Sequence, residues 1–286
     1  MCIRDRFKPL VAVGALDSHV ISVQSTFFCS GQTVIYGHRF SCWFKPGHGW
    51  VNLYTGIKNS CNIYFYNVGK NLGIQRIASY ARIFGFGSAT EIDLPGEKYG
   101  LVPDPEWKRS TKNEPWYPGE TISVSIGQGP LLVTPLQVAV YTSIIANRGK
   151  KVIPHLFFSE SNSDNDGGNN KAVFLREISK EIKESDFEKV ITGLWMAVNE
   201  GGTAGAAYVE DFNVCGKTGS TQVVSADTEK KIGREIKTHS WFTGFAPRDN
   251  PEVIVTIIIE YGGMGGGIAA PLAKNLFKLY KDKYVR

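Results

Sequence analysis

The sequence has no apolar run near the ~20 residues needed to cross a bilayer; the longest, such as Val253–Ile259, fall far short. It has no block of basic residues either. The formal net charge of +5 is spread along the chain, which argues against nucleic acid as a partner. Met1–Arg6 (MCIRDR) carries charge with no apolar core behind it, so it does not read as a signal peptide. There is no internal repeat, and the glycine run Gly262–Gly267 does not match a dinucleotide fingerprint. Asp164, Asp166 and Gly167, in the polar low-complexity stretch 159–170, lack the closing Glu and the spacing of a calcium loop. What remains is an ordinary globular composition, 42% hydrophobic and 21% charged over 286 residues. That fits one large domain, or one with a small appendage.

The most informative stretch is Phe212–Val224, centred on Lys217-Thr218-Gly219. Val214, Thr221, Val223 and Val224 favour a strand, and Gly216 and Gly219 would let another backbone approach it closely. A peptide-like substrate could then lie alongside as an added strand. Upstream, Phe7–Leu16 reads as a core helix with Pro9 in its first turn and one apolar stripe at positions 10, 13 and 16. Residues 20–58 are loop-rich. Ser60-Cys61-Asn62 leads into a helix at 63–72, continued by 75–84 and stopped at Gly85 and Gly87. Residues 93–121 read as a long surface excursion. Thr134 and Pro135 read as N-cap and first residue of a helix over 136–147. A helix over 185–199 follows, with Phe187, Val190, Ile191, Leu194 and Val198 inward. Strands at 239–245 and 253–260, joined through Pro247–Asn250, and a closing helix complete the chain. The expected fold is α/β (α+β): a central antiparallel sheet flanked by helices.

Lys8, Ser60-Cys61-Asn62 and Lys217-Thr218-Gly219, in that order and at wide spacing, resemble the S-x-x-K, S-x-N and K-T-G set of penicillin-binding proteins and serine β-lactamases. The likeness extends through Phe7–Ala12, Gly47-His48-Gly49, Tyr117–Glu120, Ser125–Gly129 and Gly201–Ala204. These stretches are similar to the penicillin-binding protein 2 family, class B transpeptidases of the rod-shape elongation machinery. The resemblance implies a penicillin-binding transpeptidase domain over 7–286, preceded by a leader at 1–6. It also implies acyl transfer through a serine ester. Lys8 would be the general base, and Ser60 would relay a proton to the leaving amine. Asn62 would bind the substrate amide, while Lys217 and Thr218 hold its carboxylate. The N–H of Ser220, just past Gly219, would form the oxyanion hole with the N–H of the nucleophile. The implied substrate is the D-Ala-D-Ala end of a peptidoglycan stem peptide, with β-lactams as mimics. The implied setting is a periplasmic domain anchored in the inner membrane and working with a glycosyltransferase and other membrane proteins.

One position departs from the family. Asp5 stands where the nucleophilic Ser belongs, three residues before Lys8, and Arg6 replaces the small residue after it. Asp5 offers a carboxylate that would pair with Lys8, so the chain as written should not be catalytic. A dead paralogue is one explanation; a true start overwritten before Phe7 is the other, and the abrupt change of character there favours it. A non-catalytic scaffold or β-lactam sensor, and a β-lactamase, are the alternative functions.

Cys29, Cys42, His48 and Cys61 form a second candidate set, the Cys₃His donors of a closed tetrahedral zinc site. Their spacing matches no common finger. A disulfide with a free thiol, or separately buried cysteines, also fit the residues. Some members of the penicillin-binding protein 2 family carry zinc near the active site, with ligands at the positions of Cys42, His48 and Cys61 and one near Cys29. The resemblance therefore implies a structural zinc. Cys215 reads as a small strand residue facing the sheet.

Overall fold

A computed structural model describes residues 3–157, 175–179, 181–221 and 238–285. The 159–170 stretch, and Val223 and Val224, lie outside these. Helix α1 (Lys8–Asp17) starts with Pro9 in its first turn, and every residue from Lys8 to Leu16 is buried. The expected single apolar stripe is thus a helix enclosed on all sides, which its nearly continuous apolar sequence permits. Gly14 admits the Tyr80 ring, because a Cβ there would sit 2.5 Å from the ring. The residues set apart in sequence extend α1 backwards through a 3₁₀ helix, Arg4–Phe7, with Ile3 and Arg6 fully buried.

The loop-rich region resolves into two small antiparallel pairs. One joins β1 (Phe27–Cys29) to β4 (Gly49–Val51), and the other joins β2 (Gln32–Ile35) to β3 (His38–Ser41). Helix α2 (Leu53–Lys58) opens with a capping box between Asn52 and Thr55. Helices α3 (Asn62–Leu72) and α4 (Ile74–Ile83) are separated by Gly73, at φ +78°, so the expected continuation is a break between two helices. The 93–121 excursion contains α5 (Pro105–Lys112) and the start of α6 (Pro118–Val124). Their density of Pro, Trp and charge reflects first-turn prolines and ion pairs of Lys108 with Glu114 and Glu120.

Helix α7 (Pro135–Ala146) begins as expected, with Thr134 capping Gln137 and Gln137 reaching back to Thr134. A short pair, β5 (Lys150–Val152) with β6 (Leu175–Glu177), precedes α8 (Glu184–Asn199). The central sheet among the described residues is antiparallel, in the order β7 (Cys215–Thr221), β8 (His239–Ala246), β9 (Val253–Ile259). Side chains alternate across it. Trp241 and Phe245 join the core with α1, α7 and Cys215, whereas Phe242 and Ala246 pack beneath α9 (Ala269–Tyr284). The sheet is therefore covered on both faces. No helix of the described residues is long and apolar enough to cross a membrane.

Candidate active site

The site forms where the start of α1, the α2–α3 turn and β7 converge. Lys8 is fully buried and its Nζ donates to Asp5 Oδ1 at 2.6 Å, Asn62 Oδ1 at 2.7 Å, Ser60 O at 2.9 Å and Ser60 Oγ at 3.0 Å. The first two segments are thus brought to one ammonium, and the third, through Lys217, lies close behind it. The i, i+3 spacing on the helix start delivers Asp5 to Lys8 as expected. The Ser60 loop differs from the expected extended form. Ser60 adopts φ +51°, a left-handed value uncommon for a non-glycine, and Cys61 is extended as the N-cap of α3. That turn still sends Ser60 and Asn62 to Lys8 and Cys61 the other way. Burial favours the protonated form of Asp5, but the charges of Lys8, Lys217 and Arg4 outweigh it. They hold the carboxyl well below its usual range.

Two expected substrate contacts are placed differently. Lys217 lies behind the cleft wall, 1% exposed, with its Nζ donating to Thr218 O at 3.1 Å. Burial, then the charges of Lys8 and Arg6 against the opposing Asp5, brings it down to about 7. It can act on a bound anion through its field, while Thr218 and Ser220 line the cleft. Asn62 uses both ends of its amide, accepting from Lys8 and donating to Ser41 O at 3.3 Å. The space at Gly219 is taken from within: a Cβ there would sit 2.2 Å from Arg6 Nη1. Arg6 in turn lies 4.3 Å from the centre of the Trp241 ring. At Gly216 the Phe242 ring fills the equivalent space. Both glycines thus serve internal packing, and an added strand would have to use the free edge of β7.

The cleft has a volume of about 490 Å³ and is lined by Asp5, Ser60, Thr218 and Ser220, with Arg4, Trp43 and Thr203 among the residues sequence reasoning did not single out for the site. Arg4 donates to Ser220 O, and Thr203 O accepts from Thr218 Oγ1 at 3.2 Å. The glycine run supplies another wall. A Cβ at Gly265 would sit 2.5 Å from Gly219 O, a close approach that the run itself could have signalled.

On the far side of residue 61, the ligand atoms of Cys29, Cys42, His48 and Cys61 all lie within 4.8 Å of one another. His48 Nδ1 is 3.5 Å from Cys29 Sγ and 3.6 Å from Cys42 Sγ. Zinc with Zn–S near 2.3 Å and Zn–N near 2.0–2.1 Å separates tetrahedral sulfur and nitrogen ligands by roughly 3.6 Å. The donor set and its spacing therefore fit zinc, and none of these cysteines is in a disulfide. A hydrogen bond from Cys61, opposed by burial and helped by His48, brings Cys42 down to about 3; Cys61, its partner, is pushed up. Cys215 is buried in the sheet core, apart from this cluster, as expected.

Residues 6–278 match the family model described as the penicillin binding protein transpeptidase domain. Peptidoglycan D,D-transpeptidase MrdA of Haemophilus influenzae is 37% identical over 285 residues, covering 96% of this chain and 44% of that protein. Penicillin-binding protein 2 of Pseudomonas aeruginosa, in complex with WCK 5153, superposes with TM-score 0.82 at 33% identity, over 99% of this chain and 61% of that one. The Helicobacter pylori complex between that protein and MreC gives TM-score 0.84 at 31% identity, over 99% and 50%. The chain spans less than half the length of the curated relative.

Proposed function

This chain belongs to the penicillin-binding protein transpeptidase domain family, and on that premise we propose that its cleft is the D,D-transpeptidase site of a peptidoglycan-synthesising protein of the elongation machinery. The supporting observation is the convergence of Ser60, Asn62 and position 5 on Lys8 Nζ. With a hydroxyl at position 5, Lys8 would take its proton as the oxygen attacks the penultimate D-Ala carbonyl of a stem peptide. The N–H groups of residues 5 and 220 would face the oxyanion. Ser60 Oγ, on Lys8 Nζ, would pass the proton to the departing D-Ala amine. The ester would then be attacked by an acceptor amine, closing the cross-link. Lys217, Arg6 and Arg4 supply positive charge for the substrate carboxylate from behind the cleft wall and from its rim.

The chain as it stands has no hydroxyl at position 5, and its carboxylate engages Lys8 instead. That ion pair favours a second reading, a non-catalytic scaffold or sensor of the same fold. Labelling with a fluorescent penicillin separates the two. The unaltered chain should give no covalent band, and Asp5→Ser with Arg6→Thr should restore one. A band from the unaltered chain would remove Asp5 from the nucleophile's place. A folded double variant that never labels leaves the scaffold reading standing.

Cys29, Cys42, His48 and Cys61 would hold a structural zinc whose four protein ligands leave no open position, so it would order the Ser60 loop from behind. The domain would work outside the cytoplasm, in the periplasm, carried by an inner-membrane anchor. Its partners would be a glycosyltransferase and other membrane proteins, and the Helicobacter pylori relative forms a complex with MreC.

A further inference from the structure

A second groove, about 570 Å³ in volume, lies between the β2–β3 hairpin and the start of α6. Its walls include Tyr36, Arg39, Phe40, Tyr117 and Glu120. Tyr36 and Tyr117 are 52% and 54% exposed, large aromatic faces turned to solvent. Tyr117 is held from behind by Lys108, 4.3 Å from its ring centre. Glu120 is occupied, both its oxygens accepting from Lys108 at 2.8 Å, a lysine that Glu114 also approaches. Arg39 is exposed and has no acidic partner among the described residues, and Lys70 lies 5.5 Å from the Tyr36 ring. The groove is therefore aromatic, with an exposed guanidinium at its wall.

Tyr36 also sits where a tyrosine is costly. It and Gly37 form the two-residue turn between β2 and β3, with φ of +52° and +76°. Such a turn favours Asn or Gly at both places. A bulky side chain kept in a left-handed conformation and presented to solvent points to a use for the ring. The groove's wall is linked to the active site through the chain. Phe40 packs on Tyr66 at 5.3 Å, and the next residue, Ser41, accepts through its carbonyl from Asn62 and Tyr66.

We propose that this groove binds the sugar-bearing, carboxylate-rich part of an uncross-linked peptidoglycan strand, a sugar ring lying on Tyr36 and Tyr117 and a stem-peptide carboxylate on Arg39. Aromatic faces suit the C–H-rich face of a pyranose, and a guanidinium suits a carboxylate. The proposal rests on the transpeptidase reading for its ligand, and its test is separate from that reading. The probe is a disaccharide–pentapeptide fragment titrated by calorimetry, alongside the free disaccharide and the free pentapeptide.

Arg39→Ala and Tyr36→Asn should each weaken binding of the whole fragment by about tenfold, a loss typical of one charge-assisted or stacking contact. Tyr36→Asn should also leave the melting temperature unchanged or raised, since Asn suits the turn, which a merely structural tyrosine would not allow. Penicillin labelling of the Asp5→Ser, Arg6→Thr background should be untouched by either change. Equal affinity of wild type and both variants for the fragment overturns the groove. So does a free pentapeptide that binds as tightly as the whole fragment and is equally indifferent to Tyr36. Loss of penicillin labelling in folded groove variants would also overturn it, whereas failure of the Asp5→Ser, Arg6→Thr chain itself to label would count against the transpeptidase reading alone.

Discussion

Two buried clusters stand back to back across the peptide of Cys61, and they differ in chemistry. On one side the Asp5 carboxylate pairs with Lys8, and Lys217 lies close behind. On the other, three sulfurs and an imidazole crowd together with no cation among them. Burying charge is costly in either sign unless it is paired. On the reading proposed above, the Lys8 side would receive an anionic substrate end and the sulfur side a zinc ion. Because Ser60 and Asn62 face the first while Cys61 faces the second, a single turn of chain ties the two together. On that reading the difference separates roles that sequence alone runs together: residue 61 would order the loop, and residues 60 and 62 would serve the reaction.

The largest way to break this comparison is to empty the sulfur side. Cys61→Ser should cost on the order of 3 kcal/mol or more of stability, as losing a ligand of a structural metal does. Elemental analysis of protein purified without chelator should find about one zinc per chain, the occupancy of a closed four-ligand site. Absence of zinc together with a disulfide among Cys29, Cys42 and Cys61 would end the metal proposal. The cation side is tested in the Asp5→Ser, Arg6→Thr background. There Lys8→Ala should slow acylation by about 10²-fold or more, the contribution of a general base. Stopped-flow acylation rates that do not change would show that another group takes the proton.

Much of this was legible in the chain because it follows local rules. The α1 start, the Thr134 cap, the inward face of α8 and the three sheet strands all rest on periodicity or capping, which act over a few residues. The convergence on Lys8 was legible only through the order of three motifs, since no local rule joins residues 8, 60 and 217. The parts missed are those set by packing partners far away in sequence. Gly216 and Gly219 read as room for a substrate, but Phe242 and Arg6 occupy it. Lys217 read as a substrate clamp, but its carrier strand turns it into the core with Cys215. The 93–121 stretch read as loop because proline obscures helices it actually starts.

The smallest expected effect sharpens the comparison from the cation side, through pH. Lys217 is held down to about 7 against an ordinary 10.5, with burial the leading cause. The unfolded chain keeps this proton up to about 10.5, whereas the folded chain releases it from about 7. Between those values the unfolded state binds more protons, so stability rises with pH. Below pH 7 the penalty of the buried cation is present in full. The slope from one such group is at most about 1.4 kcal/mol per pH unit. Cys215 works against it at higher pH, because burial pushes its thiol up and the unfolded thiol ionises first. The useful window is therefore narrow, from about pH 7 to about 8.5, the ordinary thiol value. Urea midpoints across that window should climb for the wild type. In Lys217→Met they should stay level or fall, because the cation is gone while Cys215 and the sulfur cluster are unchanged. Parallel curves for the two proteins would mean that Lys217 keeps its proton when folded, and that the buried cation behind the cleft is permanent.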